Sequence, residues 1–217
     1  MITMREFVKL HGQKLAIGFI SIMYTVGIVQ VVVLENTEIL DLSPLQLLLS
    51  TFIILLYQDV HLRNIILWVL IYLLGFGVEV LGVNTGFPFG SYSYGPVLGV
   101  KIWNTPLMIG VNWVLIILTT TQVADSLFKN ANVIMRSFLS ATLAVGLDFL
   151  IEPVAVSTNM WTWELAQIPV SNYLSWWIIA FVLSYLYQSR VRQNLQPVIL
   201  VIFVWIIVFF AVLNLAL

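Results

Sequence analysis

The chain has 217 residues, 61% of them hydrophobic and 9% charged, with a formal net charge of −1. A soluble domain carries about 25% charged residues, so this composition belongs to an integral membrane protein, and no basic face or tail is available to meet nucleic acid. The absence of cysteine excludes disulfides, thiolate metal sites and a cysteine nucleophile.

In chain order, the basic start (Arg5, Lys9, Lys14) leads into an apolar run that reaches about Leu34 with no small-residue cleavage site. It reads as a retained first span rather than a signal peptide. A bilayer crossing needs about 20 apolar residues. On that criterion spans are expected at 15–34, 44–58, 65–83, 106–124, 134–156, 170–187 and 197–216. The predicted fold class is all-α: a polytopic membrane helix bundle with seven transmembrane helices, forming one integral membrane domain over 1–217. The second span, between Pro44 and Gln58-Asp59, is the shortest, and without it the count is six. With seven spans, Arg5, Lys9, Lys14, Arg63, Lys129, Arg136, Arg190 and Arg192 fall on one side and Lys101 alone on the other. The positive-inside rule then places the N-terminus in the cytoplasm and the C-terminus outside, in the inner cell membrane. Dropping a helix would scramble that partition.

The two longest connections, 84–105 and 157–169, both lie on the outer side and hold most of the Gly, Pro, Trp and Tyr clusters. No repeat, low-complexity tract or linker divides the chain. Three acids fall inside spans: Glu79 near the outer end of the third, and Asp148 and Glu152 in the fifth. Four residues apart, Asp148 and Glu152 share a helix face, at a depth similar to Glu79. A charged carboxylate near the midplane costs about 2.5 to 3.5 kcal/mol on insertion scales, and no Lys or Arg lies at that depth. At least one carboxyl is therefore expected to hold its proton at neutral pH, as a general acid must. The plainer reading is structural, with hydrogen bonds to Asn112, Asn172 or backbone freed ahead of Pro153.

The loop "NTGFPFGSYSYGPVLG" from Asn84 is dense in glycine and aromatics, with Tyr92 and Tyr94 at its centre. "NMWTWELAQIPVSNYLSWW" repeats the theme with Trp161, Trp163, Asn172 and Trp176. An aromatic belt at the membrane surface is one reading. The other is a cavity whose ring faces stabilise a cation, to which Asn112 and Trp113 would add a wall. His11 and His61 lie on the far side from the carboxylates, the last helix has no lysine for a Schiff base, and no dinucleotide fingerprint or P-loop is present. Chemistry without metal or cofactor is expected.

The segments "EVLGVNTGFPFGSYSYGPVLGV", "TPLMIGVNW", "LDFLIEPVAV" and "WTWELAQIPVSNYLSWW", in this order from Glu79 to Trp177, resemble the carotenoid biosynthesis membrane proteins of the CruF type, the family of carotenoid 1,2-hydratases and bisanhydrobacterioruberin hydratase. Two positions depart from the pattern: Ser175 stands where glycine is frequent, and Thr105 where valine is common. The resemblance implies addition of water to the terminal C1=C2 bond of an acyclic carotenoid, giving a tertiary alcohol. The implied partners are the carotenoid, water, membrane lipid and other enzymes of the pathway. For that chemistry Glu152 or Asp148 is expected to donate the proton and Glu79 to hold or deprotonate water. Asn84, Asn112 and Asn172 would orient the water, and Trp161, Trp163 and Tyr94 would shield the cation. Tyr92, Trp113 and Trp176 complete the expected substrate-binding set. The alternatives are a lycopene or isoprenoid cyclase, and a carotenoid-binding or transport protein that leaves its pigment unchanged.

Overall fold

The computed structural model describes residues 4–165 and 167–217, with side chains from residue 11 onward. The side chains of Arg5 and Lys9 lie outside that range. Seven helices are long and apolar enough to cross a membrane: α1 (Met4–Ile28), α2 (Ser43–Leu56), α3 (Leu62–Thr85), α4 (Leu107–Leu127), α5 (Val133–Ser157), α6 (Val170–Gln188) and α7 (Pro197–Ala216). A π-helical turn, Val29–Val33, extends α1, and a 3-10 turn, Thr37–Leu42, leads into α2. The 3-10 turn brings the second crossing to 20 residues, Thr37–Leu56, which is why the shortest of the expected spans nevertheless crosses.

The ends of the helices follow from local chemistry. The Asn36 side chain caps the 3-10 turn by accepting from the Glu38 N–H, and Asn132 caps α5 by accepting from the Met135 N–H. Pro44 and Pro197 sit in the first turns of α2 and α7, where a missing N–H costs nothing. Apart from Pro153 inside α5, which has no N–H to give, interior positions are satisfied within each helix, the condition for crossing hydrocarbon.

Helix α4 is central: 78% of its crossing stretch is buried, against 22% to 44% for the other six. It packs on α2, α3, α5, α6 and α7, while α5 lies along α6 and α1 along α7. Close approach is enabled locally. A Cβ on Gly75 would stand 2.4 Å from the Trp113 ring, so glycine lets the α4 tryptophan lie against the α3 backbone.

Between the helices at one end of the bundle are four short strands where the sequence predicts loop. β1 (Tyr92–Tyr94) pairs antiparallel with β4 (Trp161–Trp163), and β2 (Lys101–Ile102) with β3 (Thr105–Pro106). The first ladder ties the two long outer connections together. In its register Tyr92 faces Trp163, Ser93 faces Thr162 and Tyr94 faces Trp161. Alternation along the strands puts the four rings on one face and leaves Ser93 and Thr162 exposed, bonded to each other at 3.2 Å.

At the opposite end of the bundle a second polar group is buried. Asp125 at the end of α4 accepts from Arg136 of α5 at 2.5 Å and from Gln188 of α6 at 2.8 Å. Ser137 donates to Gln188 at 2.9 Å. Here a cation answers the buried acid directly. Removing one member of a buried pair strands the other charge and costs about 3 to 5 kcal/mol, whereas apolar replacement of both is often neutral. Asp125→Leu is therefore expected to lower the thermal midpoint of the detergent-solubilised protein sharply, and Asp125→Leu/Arg136→Met to recover most of the loss, both read by intrinsic tryptophan fluorescence.

Candidate active site

Two helices bring the three intramembrane acids together. Glu79 on α3 and Asp148 and Glu152 on α5 are 2–3% exposed, yet all three line one small chamber with Tyr92, Tyr94, Asn112, Trp161, Trp163, Asn172 and Trp176. Its volume is about 30 Å³, room for about one or two waters. Glu79, Asp148 and Glu152 lie within electrostatic reach of one another.

The aromatic ladder supplies the hydrogen bonds. From β1, the Tyr92 and Tyr94 hydroxyls both donate to Oε2 of Glu79, at 2.6 and 2.8 Å, and the Trp113 indole N–H of α4 donates to Oε1 at 3.2 Å. From β4, the Trp161 and Trp163 indoles both donate to Oε2 of Glu152 at 3.0 Å. Asn172 on α6 uses its one amide nitrogen twice, donating to Oε1 of Glu152 at 3.0 Å and to Oδ2 of Asp148 at 3.1 Å. Glu79 and Glu152 thus receive three donors each. Asp148 receives one. A carboxylate accepts only, whereas a carboxylic acid has one O–H to give; three donors suit the ionised form, and the sparsely served Asp148 is the group best matched to carrying a proton.

The walls are ring faces. Trp113 and Trp176 stack at 3.9 Å between centroids, and Tyr92 lies against Trp163 at 5.0 Å. Gly82, three residues beyond Glu79 on α3, makes the descent of β1 possible: a Cβ there would stand 2.5 Å from the Phe89 ring and 2.9 Å from the Tyr92 hydroxyl. Ser171 and Ser175 of α6 donate to the carbonyls of Phe89 and Pro88, fastening the same loop from the other side. The Ser175 hydroxyl is thus a loop anchor, not a chamber group.

Most of the expected site residues meet at the chamber. Trp113 touches it through Glu79. Asn84 stands apart: it is exposed, donates to the Val80 and Trp103 carbonyls, and accepts from Asn104. Among the described residues no group of three or more His, Asp or Glu is placed to hold a metal ion, which accords with carboxyl oxygens that face N–H and O–H donors.

A second, larger cavity of about 420 Å³ adjoins the chamber. It runs between α1, α2, α4 and α7, and is lined almost wholly by apolar side chains. Ile109, Asn112, Ile151 and Trp161 line both cavities. Phe19, Ile22, Leu42 and Leu45 at its mouth are 46–65% exposed, so in a bilayer the groove opens sideways onto lipid. Sequence alone did not reveal it, because groove-facing and lipid-facing positions are equally apolar.

Residues 42–217 match the family profile described as carotenoid biosynthesis protein. The chain belongs to this family. The match takes in every chamber residue and leaves out α1. Bisanhydrobacterioruberin hydratase of Haloarcula japonica is a relative, 26% identical over 156 residues that cover 63% of this chain and 51% of that one. The chain thus spans about half the length of this relative. No solved structure matches the chain. The expected family and the multi-pass membrane character both stand.

The two tyrosines of β1 are outside the spans, and their phenols are pushed above the ordinary value of 10.0, first by burial and then by the negative charge of Glu79. They stay donors at neutral pH. In the unfolded chain the same phenols ionise near 10.0. Their contribution is therefore complete below that pH and is lost as pH rises toward the folded values. Absorbance titration at 295 nm is expected to give equal phenolate signals for wild type and Tyr92→Phe/Tyr94→Phe up to about pH 11; a two-phenol deficit in the variant would mean that both ionise normally.

Proposed function

We propose that the protein is a carotenoid hydratase, adding water to the terminal C1=C2 bond of an acyclic carotenoid end group. The observation that carries this reading is the union of a lipid-open apolar groove with a water-sized chamber bearing three carboxyls. A polyene lying in the groove presents its end group at Ile109, Asn112, Ile151 and Trp161, against the acids. The printed name of the Haloarcula relative points to the same chemistry.

In the proposed mechanism Asp148 gives its proton to C2, and C1 becomes a tertiary cation. The faces of Trp161, Trp163, Trp176, Tyr92 and Tyr94 stabilise it through their quadrupoles. A chamber water adds its oxygen to C1 and releases a proton to Glu79, leaving the tertiary alcohol. Glu79 returns that proton to Asp148 through a chamber water, while Glu152, bridged to Asp148 by Asn172, stays ionised beside it. Alkene and water are consumed and no other reactant is needed, so the reaction requires no cofactor. Asn172 positions the two α5 carboxyls, and Tyr92, Tyr94 and Trp113 hold Glu79 ionised and aimed. Of the two α5 acids, Asp148 is the donor because Glu152 is committed to three hydrogen bonds. Asn84 is left without a part.

The same reading places the whole chain as a single domain in the inner cell membrane, N-terminus cytoplasmic and C-terminus outside, with carotenoid, lipid and neighbouring pathway enzymes as partners. Arg63, Lys129, Arg136, Arg190 and Arg192 at the end of the bundle opposite the chamber support that orientation.

The test is expression in a host that makes acyclic lycopene-type pigments, with mass analysis of the extracts. A new pigment heavier by one water is expected. A product of unchanged mass would instead indicate a cyclase, and bound but unaltered pigment a carrier. Loss of general acid or base assistance costs about 10² to 10⁴ in rate, so Asp148→Asn and Glu79→Gln are expected to fall in that range in folded protein. Near wild-type turnover by both Asp148→Asn and Glu152→Gln would refute the carboxyl mechanism. Orientation is read separately: a C-terminal tag is expected to be labelled by impermeant reagent from outside intact cells, and exclusive labelling after lysis would reverse the topology.

A further inference from the structure

At the junction of groove and chamber, four residues line both cavities: Ile109, Asn112, Ile151 and Trp161. Two are aliphatic, and the Trp161 N–H is committed to Glu152. Asn112, half-buried on α4, is the remaining polar side chain. The structure gives its amide no hydrogen bond among the described residues, while Asn172 across the chamber has its amide nitrogen fully engaged by Asp148 and Glu152. A buried amide is normally paired with protein or water, and Asn112 stands beside a space of one or two waters.

We propose that Asn112 is the product-determining residue: it holds the attacking water at the mouth of the chamber, so that the cation is captured by oxygen instead of discharging as an alkene. This rests on the hydratase reading and adds to it a division of labour. Protonation belongs to the carboxyls, whereas the fate of the cation belongs to α4. The amide carbonyl of Asn112 accepts one water hydrogen and leaves an oxygen lone pair facing C1. Glu79 takes the other hydrogen as the C–O bond forms. Where no water is held there, the cation can discharge as an alkene without any further reactant. A C1 methyl gives a proton to Glu79, the C–H electron pair closes a C1=CH2 bond, and Glu79 returns the proton to Asp148. The net change is isomerisation of the terminal double bond.

The two outlets differ in what they carry away from deuterium oxide. Asp148 equilibrated with deuterium oxide adds a deuteron to C2, so an alkene that has passed through the cation retains deuterium even though it gained no water. Membranes containing wild type or Asn112→Leu are incubated with an acyclic carotenoid in deuterium oxide, and hydrated and unhydrated pigments are analysed by mass. For wild type, hydrated product is expected to dominate. For Asn112→Leu, which keeps the branched shape and removes the hydrogen bonds, the hydrated-to-isomerised ratio is expected to fall about tenfold or more, with deuterium appearing in the unhydrated pigment. Asn112→Ser, a smaller residue that still bonds water, is expected to give an intermediate ratio and covers the case in which the leucine variant fails to fold.

Hydration that falls without deuterium in the recovered alkene would overturn the proposal, since Asn112 would then act on protonation or folding. So would an unchanged ratio. Wild type that neither hydrates nor exchanges deuterium would defeat the hydratase reading itself, and the role given to Asn112 with it.

Discussion

Three carboxyl groups buried together, with no cation beside them among the described residues, are the condition around which this end of the protein is built. Each acid placed there must be neutral or must be met by donors, because hydrocarbon offers it nothing. The donors come from four directions: β1 and α4 for Glu79, β4 for Glu152, and α6 for Asp148 and Glu152. Because β1 and β4 pair residue for residue, a slip of one residue in either strand would turn its two rings away from the acids. Gly82, Ser171 and Ser175 fix the height and the tilt of the loop that carries β1. The long outer connections are thus part of the site and not decoration on it.

The two ends of the bundle answer the same problem differently. At Asp125, Arg136 and Gln188 neutralise the buried acid, which fastens α4, α5 and α6 together. At the chamber the answer is hydrogen bonding alone, unequally shared. That inequality is what separates a reactive group from two fixed carboxylates on the proposed mechanism. An arginine beside Asp148 would hold it ionised and useless as an acid.

Hydropathy made the helices legible: seven crossings read from composition are the seven of the structure, with ends differing by a few residues where a 3-10 turn or a fraying cap extends them. Intramembrane acids were legible for the same reason, as exceptions to a uniform background. The ladder was not. "YSY" and "WTW" each alternate for only three residues, too short for a period-2 signal, and the partners Ser93 and Thr162 stand 69 residues apart. The spacing of two between like aromatics was the available clue, since it puts both rings of a strand on one face. Asn84 was grouped with the site because it follows Glu79 by little more than one turn. Its side chain turns to the β2–β3 hairpin instead. Asp125 and Arg136 passed as ordinary span ends because their pairing depends on how α4 and α5 are brought together.

On the proposed mechanism, a tertiary cation generated beside three carboxyls faces a competitor that water must beat, for a bare carboxylate could form an ester with it. The pattern of donors bears on this directly. Glu79 and Glu152 have their oxygens occupied by three donors each, which lowers their nucleophilicity while leaving their charge to stabilise the cation. Asp148, freshly deprotonated, is the exposed rival, and it is tethered by Asn172 through Oδ2. A chamber of about 30 Å³ admits water where a carboxylate on a helix cannot advance. The ring contacts of Tyr92 on Trp163 and Trp113 on Trp176 close the shell around the site, and α5 is packed along α6. Rigidity of the aromatic shell therefore serves selectivity as well as charge stabilisation, and the small uncommitted amide at its edge decides what reaches the cation first.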